Sequence, residues 1–492
     1  MSAPEIVAPS ERSSRVIARN TGWRMIAFGG RTVGGLVATV LVARLEGPNG
    51  LGRFQFAMTL TLLLSFLVQL GLQKLLVREL ARRPEKTQAS LDTAVAVSIV
   101  GGLVFSAALY TVMAIVGAGA SQTFLLVTAG LALTVDSVTR VELSLFWALE
   151  QMRYEAVTVV IQETVFVLGT IIALAAGFGP EGVMVAYLAS RIVGAGTAWG
   201  ITVRRFGYRV APRPSREIIA PLLRKTIPFA IDDALSLAYI RADAVLLGIL
   251  QGPTAVGFYN AATNLVLYLN VLPRMLNLSL YPRMSRAWPD RPEELARLRD
   301  GSLRILGAIS VPITVGSFLL ADKIFPFVYG SGFQEAVTCY LILVPVIPVR
   351  MLGNTLGTAL TAADGQTRRT IAVSIAAVAN IGMNLVAIPR WSYLGAAGVT
   401  LVTETALFLA YAEMLRRMIG PSKVVQAILI PALASIPMAI AVVSTWKMFV
   451  GIPIILGVIS YAVAMYAIAG LMMPALVRQP RALVVGFLRG DT

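Results

Sequence analysis

The chain has 492 residues, of which 57% are hydrophobic and only 14% charged, and its formal net charge is +16. A soluble domain carries about 25% charged residues, so this composition excludes an ordinary soluble enzyme and indicates an integral membrane protein. Histidine is absent and cysteine occurs once, at Cys339, which removes histidine acid–base catalysis, histidine metal sites and any intrachain disulfide.

A polar stretch with Arg12, Arg15 and Arg19 precedes the first apolar run. That run is too long for a signal peptide, contains Arg24 and Arg31 and lacks a small-residue cleavage site, so it reads as a retained transmembrane helix. A bilayer crossing needs about 20 apolar residues. On that criterion fourteen crossings are expected, over 21–43, 54–77, 91–117, 122–149, 154–177, 181–203, 227–250, 254–283, 301–329, 335–363, 367–389, 395–418, 423–446 and 451–475. They are long continuous runs, unlike the alternating short segments of a membrane barrel. The expected fold is an all-α integral membrane protein.

Loop charge orients these crossings. Loops on one side hold most of the basic residues, whereas the other side holds Arg44, Arg53, Arg390 and Lys447, with Lys323 close to its surface. Basic loops stay in the cytoplasm, so both termini are expected there, in a cytoplasmic (inner) membrane. No loop is long enough for a soluble catalytic domain. The longest, 204–225, has Pro212, Pro214 and Pro221 among its basic residues and reads as a linker lying on anionic lipid.

A repeat supports a division at that linker. Leu45-Glu46-Gly47-Pro48, then Gly52, Phe54, Ala57 and Leu60, recurs 205 residues later as Leu250-Gln251-Gly252-Pro253, then Gly257, Tyr259, Ala262 and Leu265. Six intervening helices return the chain to the same side, which makes the repeats parallel. The expected parts are a six-helix bundle over 1–203, the linker 204–225, a second six-helix bundle over 226–419, and two further helices with a cytoplasmic tail over 420–492.

The charged residues inside these apolar runs carry the chemistry. A charge at the bilayer centre costs about 3 kcal/mol on insertion scales and needs a partner, water or a polar ligand. The cations are Arg24, Arg31, Lys74, Arg140, Arg191, Arg241, Arg274 and Arg350; the acids are Asp136, Glu142, Glu163, Asp232, Asp233, Asp243 and Glu404. Arg24 and Arg31 are seven residues apart on one helix face and have no acid on their own helix. Arg241 and Asp243, two apart, do not face each other. Arg24, Arg31, Arg241 and Arg274 are therefore read as binding an anionic headgroup, because guanidinium forks grip phosphate oxygens bidentately and stay charged. Asp136 and Arg140, four apart, read as a structural ion pair. Lys74, near a helix end, reads as snorkelling. Asp232, Asp233 and Glu404 read either as counter-ions or as groups coupling transport to Na⁺ or a proton. Asn354, Asn380 and Asn384 add interhelical hydrogen-bonding groups.

The stretches VARLEGPNGLGRFQFA, LGLQKLLVRELAR, YIRADAVLLGILQGPTAVGFYNAA, LYPRMSR, GNTLGTALTAADGQ and NIGMNLVAIPRWSYLGAAGVTLVTE run from the first helix to the twelfth. In their order and spacing the chain resembles the Wzx-type polysaccharide and lipid-linked oligosaccharide flippases of the multidrug/oligosaccharidyl-lipid/polysaccharide exporter superfamily. The usual acidic residue of the first loop motif is displaced here, with Glu46 before Gly47-Pro48 and Asn49 after. The resemblance implies movement of a polyprenyl-diphosphate-linked glycan across the membrane by alternating access, through a cationic cavity between two lobes. Arg241 and the arginines of the first helix are the residues it carries over. Membrane lipids and glycan-assembly proteins are the implied partners, with no nucleic acid, no cofactor or metal, and no enzyme activity. Two other readings compete: a drug or cation antiporter of the same superfamily, kept open by Asp232, Asp233 and Glu404, and a membrane glycosyltransferase or glycan polymerase, which lacks evident catalytic carboxylate or histidine chemistry.

Overall fold

Runs of apolar residues this long leave the backbone no polar partner except itself, so in a bilayer they must close their hydrogen bonds as helices. The computed structural model describes residues 12–448 and 451–472, and among them are α-helices and two short 3₁₀ turns but no strand. The side chains of residues 12–18, 216, 232, 453, 466 and 468–472 are outside that description. The expectations placed on Asp232, on the polar N-terminal stretch and on the C-terminal tail therefore lie outside the described residues. Among the described residues, nine helical stretches are long and apolar enough to cross a membrane by length and composition. The chain is an all-helical, multi-pass membrane protein, and it divides into two compact units, with the boundary between Gly257 and Phe258.

The first unit holds α1 (Arg12–Leu63), the short α2 (Phe66–Gln69), α3 (Leu72–Arg82), α4 (Thr87–Val116), α5 (Ala120–Ala148), α6 (Met152–Ala175), α7 (Gly179–Phe206), α8 (Arg216–Gln251) and the start of α9 (Pro253–Tyr268). α6 packs on both α1 and α7, and α5 on α3, α4 and α7. Leu75, Leu76, Leu91 and Phe146 are fully buried at their junction, where the Phe146, Tyr154 and Phe206 rings meet with centroids 5.6–5.7 Å apart. Of the stretch 204–225, only 207–215 is non-helical. It is tied to the start of α4, where Asp92 accepts a hydrogen bond from the Ala211 amide (2.8 Å) and Thr93 one from the Ser215 amide (3.1 Å).

The repeat has a structural counterpart. α1 is broken at Gly47 (φ 66°, ψ −168°), and α8 ends at Gly252 (φ 84°, ψ −178°). Both occupy a region essentially reserved for glycine, and each is followed by a proline, whose fixed φ suits a new helix start. The two turns also touch reciprocally. A Cβ on Gly52 would overlap the Pro253 carbonyl, and one on Gly257 would overlap the Pro48 carbonyl. Asn49 donates to Thr254, its repeat equivalent, at 3.2 Å. Equivalent residues meeting in this way define a local two-fold relation within the first unit.

The second unit continues with α10 (Val271–Ala287), α11 (Pro292–Tyr329), α12 (Ala336–Leu343), α13 (Val346–Ala362), α14 (Gln366–Ile419), α15 (Val424–Ser444) and α16 (Gly451–Met472). α14 is interrupted at Ser392 (φ 49°, ψ −134°). A row of rings, Tyr340, Phe325, Tyr329, Phe333 and Phe258, packs at centroid spacings of 5.2–6.1 Å. α15 and α16 are fastened to α11: Gly307 lies against the Ala427 carbonyl, Tyr461 donates to the Ala308 carbonyl at 2.7 Å, and Lys323 donates to the carbonyls of Trp446 and Met448.

Candidate functional site

The largest buried charge cluster of the first unit is built by α1, α5, α6 and α7. Arg191 on α7 donates to Glu163 on α6 at 2.8 Å and lies 3.9 Å from Asp136 on α5. The Gln162 carbonyl, in the amide orientation that satisfies it, accepts from the same guanidinium. The Tyr187 ring stacks on that guanidinium, 4.4 Å from centroid to Cζ. Asp136 also accepts from Arg140, one turn along α5, at 2.7 Å. One carboxylate thus serves two arginines.

α1 closes this cluster because Gly34 faces Glu163. A Cβ at Gly34 would stand 2.7 Å from a carboxylate oxygen, so a larger residue here would have to push the Glu163 side chain aside. Arg31, about one turn before Gly34, lies within electrostatic range of Asp136, Arg140, Glu155 and Arg191. No carboxylate among the described residues stands within ion-pair distance of Arg31 or Arg24. Arg24 instead stacks on Trp147 (4.4 Å), and the Trp147 indole donates to Glu155 at 2.7 Å. Arg24, Arg31, Arg140 and Arg191 outnumber the carboxylates Asp136, Glu155 and Glu163 by one, since the neutral indole on Glu155 cancels no charge. The imbalance leaves capacity for an added anion.

Lys74 does not simply reach for the membrane surface: it donates to Asp233 across the α3–α8 seam at 2.7 Å. That arrangement gives Asp233 a counter-ion. Arg241 is half-buried. Asp243 is buried and accepts from the Ala244 amide at 2.7 Å. Glu142, two residues from Arg140 and so on another face of α5, is buried with one carboxylate oxygen lacking a hydrogen-bond partner. In the second unit Arg274 is exposed, and Arg350 donates to Glu404 through two nitrogens, Nε at 3.0 Å. Asn384 donates to Asn380 at 2.9 Å, and Asn380 to Thr403 at 3.1 Å.

Several contributors are invisible in the one-dimensional pattern. Gln162, Trp147 and Glu155 look like ordinary helix residues, and only the packing of α1, α5, α6 and α7 brings them to the arginines. Arg299 reads from sequence as one of the exposed loop cations. It is in fact 1% exposed, and donates to Asp300 (2.8 Å) and to the carbonyls of Gly420 (3.1 Å) and Pro421 (2.8 Å). The end of α14 thereby gains donors for carbonyls that no helical amide can reach.

A family profile described as polysaccharide biosynthesis protein matches residues 17–288. A curated relative, the probable flippase AglR of Haloferax volcanii, is 26% identical over 179 residues, which is 36% of this chain and 37% of that protein. The match thus spans little more than a third of that relative's length. Among solved structures, the lipid II flippase MurJ in an inward closed conformation superposes with a TM-score of 0.72 at 14% identity, over 92% of this chain and 99% of that one. An inward-facing multidrug resistance MATE family transporter of the MOP superfamily superposes with a TM-score of 0.64 at 16% identity, over 79% and 94%. These likenesses establish the all-helical transporter fold.

Proposed function

Because this chain belongs to the polysaccharide biosynthesis protein family, we propose that it is a flippase for a polyprenyl-diphosphate-linked oligosaccharide. It moves the headgroup from the cytoplasmic to the outer leaflet by alternating access, and forms no covalent bond. The single observation that carries this reading is the cationic excess on α1, α5 and α7, with Arg31 lacking an ion-pair carboxylate among the described residues. A diphosphate supplies the missing negative charge, and paired N–H donors match its oxygens. Arg24, Arg31 and Arg241 bind the diphosphate in this reading, and Arg274, in the second unit, is read as a further anion-binding residue. Counting α1 and α14 twice each and adding α7, α8 and α16 gives the proposed fourteen crossings, with both termini cytoplasmic. Coupling to Na⁺ or a proton would require an acid to leave its cation, Glu404 from Arg350 or Asp233 from Lys74.

The relatives named above include both flippases and a multidrug transporter, and the two functions predict opposite ligand charge. A cation antiporter needs uncompensated acids. Asp233 and Glu404 each contact a cation, as do Asp136 and Glu163, which favours an anionic ligand even with Glu142 buried and without an ion-pair cation among the described residues. The test is flipping of a labelled lipid-linked oligosaccharide in proteoliposomes. Arg31→Ala should abolish flipping while membrane insertion stays intact, and flipping at the wild-type rate would sink the proposal.

A further inference from the structure

Arg19, Asn20 and Trp23 near the start of α1, with Gln151 and Arg153 at the α5–α6 turn, line a separate cavity of about 380 Å³. Asn20 donates to the Glu150 carbonyl at 2.9 Å and ties α1 to that turn. Trp23 packs against Ala27, Ala156 and Val159, so its ring is held in place. Arg153 stacks on Tyr154 (4.5 Å) and donates to its hydroxyl at 2.7 Å. That bond uses one of the five N–H donors of a guanidinium. Arg19 is exposed, and no carboxylate among the described residues pairs with Arg19 or Arg153.

Two guanidiniums, a fixed indole and two amides form a chemically specific set. The guanidiniums suit phosphate oxygens, the indole face suits the C–H face of a sugar ring, and the amides supply donors and acceptors for hydroxyls. Bare anionic lipid would need the charges alone. Along α1, Arg19, Arg24 and Arg31 rise in steps of roughly 7 and 10 Å at the helical rise per residue. The cavity therefore stands below Arg24 and Arg31 on the same helix, with Arg19 about 140° around it from Arg24.

We propose that this cavity is an entry subsite for the sugar-diphosphate headgroup, occupied before the headgroup reaches Arg24 and Arg31. The inference rests on the flippase reading and adds to it a recognition step in which Trp23 reads the first sugar and Arg19 and Arg153 hold the diphosphate. The subsite selects glycosylated carrier over free carrier diphosphate at the membrane surface.

The test is calorimetric binding to the full-length chain in phosphatidylcholine nanodiscs. The probes are citronellyl diphosphate carrying N-acetylglucosamine, citronellyl diphosphate alone, and phosphatidylglycerol. Arg19→Ala and Arg153→Ala should each weaken both diphosphates by about tenfold, the scale of a lost hydrogen bond to a charged group. Trp23→Ala should weaken the glycosylated probe alone, and Trp23→Phe should restore it. Arg31→Ala should weaken both diphosphates equally, because Arg31 is read as holding the diphosphate and not the sugar. If the wild-type chain binds neither diphosphate, the flippase reading and this subsite both fail. If it binds and only Arg31→Ala loses binding, the subsite fails and the flippase reading stands. Equal competition by phosphatidylglycerol would reduce the cavity to a site for any anionic lipid and overturn the proposal.

Discussion

The two units bury arginine in different ways. In the second unit, Arg350 has Glu404 to itself, and Arg299 is satisfied by Asp300 and two helix-end carbonyls. In the first unit, Arg140 and Arg191 share Asp136, and Arg31 stands beside them without an ion-pair carboxylate among the described residues. A buried charge that is closed by its own unit contributes to architecture. With Arg24 and Glu155 counted, the cluster of the first unit holds one arginine more than it has carboxylates.

The comparison is most exposed at Arg191. Arg191→Met should cost about 3–5 kcal/mol, because it strands buried carboxylates. Thermal unfolding of the purified chain reads this, and Arg191→Met combined with Glu163→Gln should recover most of the loss. A cost no larger than that of Arg350→Met would remove the distinction between the units.

Arg299→Met is the matching break in the second unit. It leaves the Gly420 and Pro421 carbonyls without their donor, for about 2–3 kcal/mol. Flipping per folded molecule should stay at the wild-type level, whereas Arg31→Ala should show the reverse, normal stability with no flipping. A flipping defect in Arg299→Met would mean that this buried arginine serves function as well as architecture.

An uncharged control lies at the repeat turns. Gly52→Ala and Gly257→Ala should each cost about 1–2 kcal/mol by overpacking, and by similar amounts, because each Cβ meets the equivalent proline carbonyl. Unequal costs, measured by the same unfolding assay, would deny the two-fold relation. The smallest expected effect is at Asn384→Leu, about 0.6 kcal/mol, since interhelical hydrogen bonds in membranes average that little. A loss comparable to that of Arg299→Met would show that the Asn380–Asn384 pair does more than join helices.

Hydropathy alone carried the fold class, because a bilayer permits an apolar run of this length only as a helix. The Gly-Pro signatures at Gly47-Pro48 and Gly252-Pro253 likewise announced the repeat. Each glycine's backbone geometry is local, and local geometry is written in local sequence. The Asp136–Arg140 spacing was legible for the same reason, being one turn of one helix.

Tertiary structure decided the rest. That Asp136 also serves Arg191, that Glu163 and Gln162 hold that guanidinium, that Arg24 stacks on Trp147 and that Lys74 meets Asp233 are all contacts between helices. Their partners are separated by tens to hundreds of residues, and no periodicity encodes which faces meet. Arg299 shows the same limit most sharply: a basic residue in a charged stretch reads as solvated, yet it is buried because the far end of α14 arrives with carbonyls to receive it. From the sequence alone one could say that the charges are too many for the membrane. Which of them pair in the first unit is set by the way α1, α5, α6 and α7 pack.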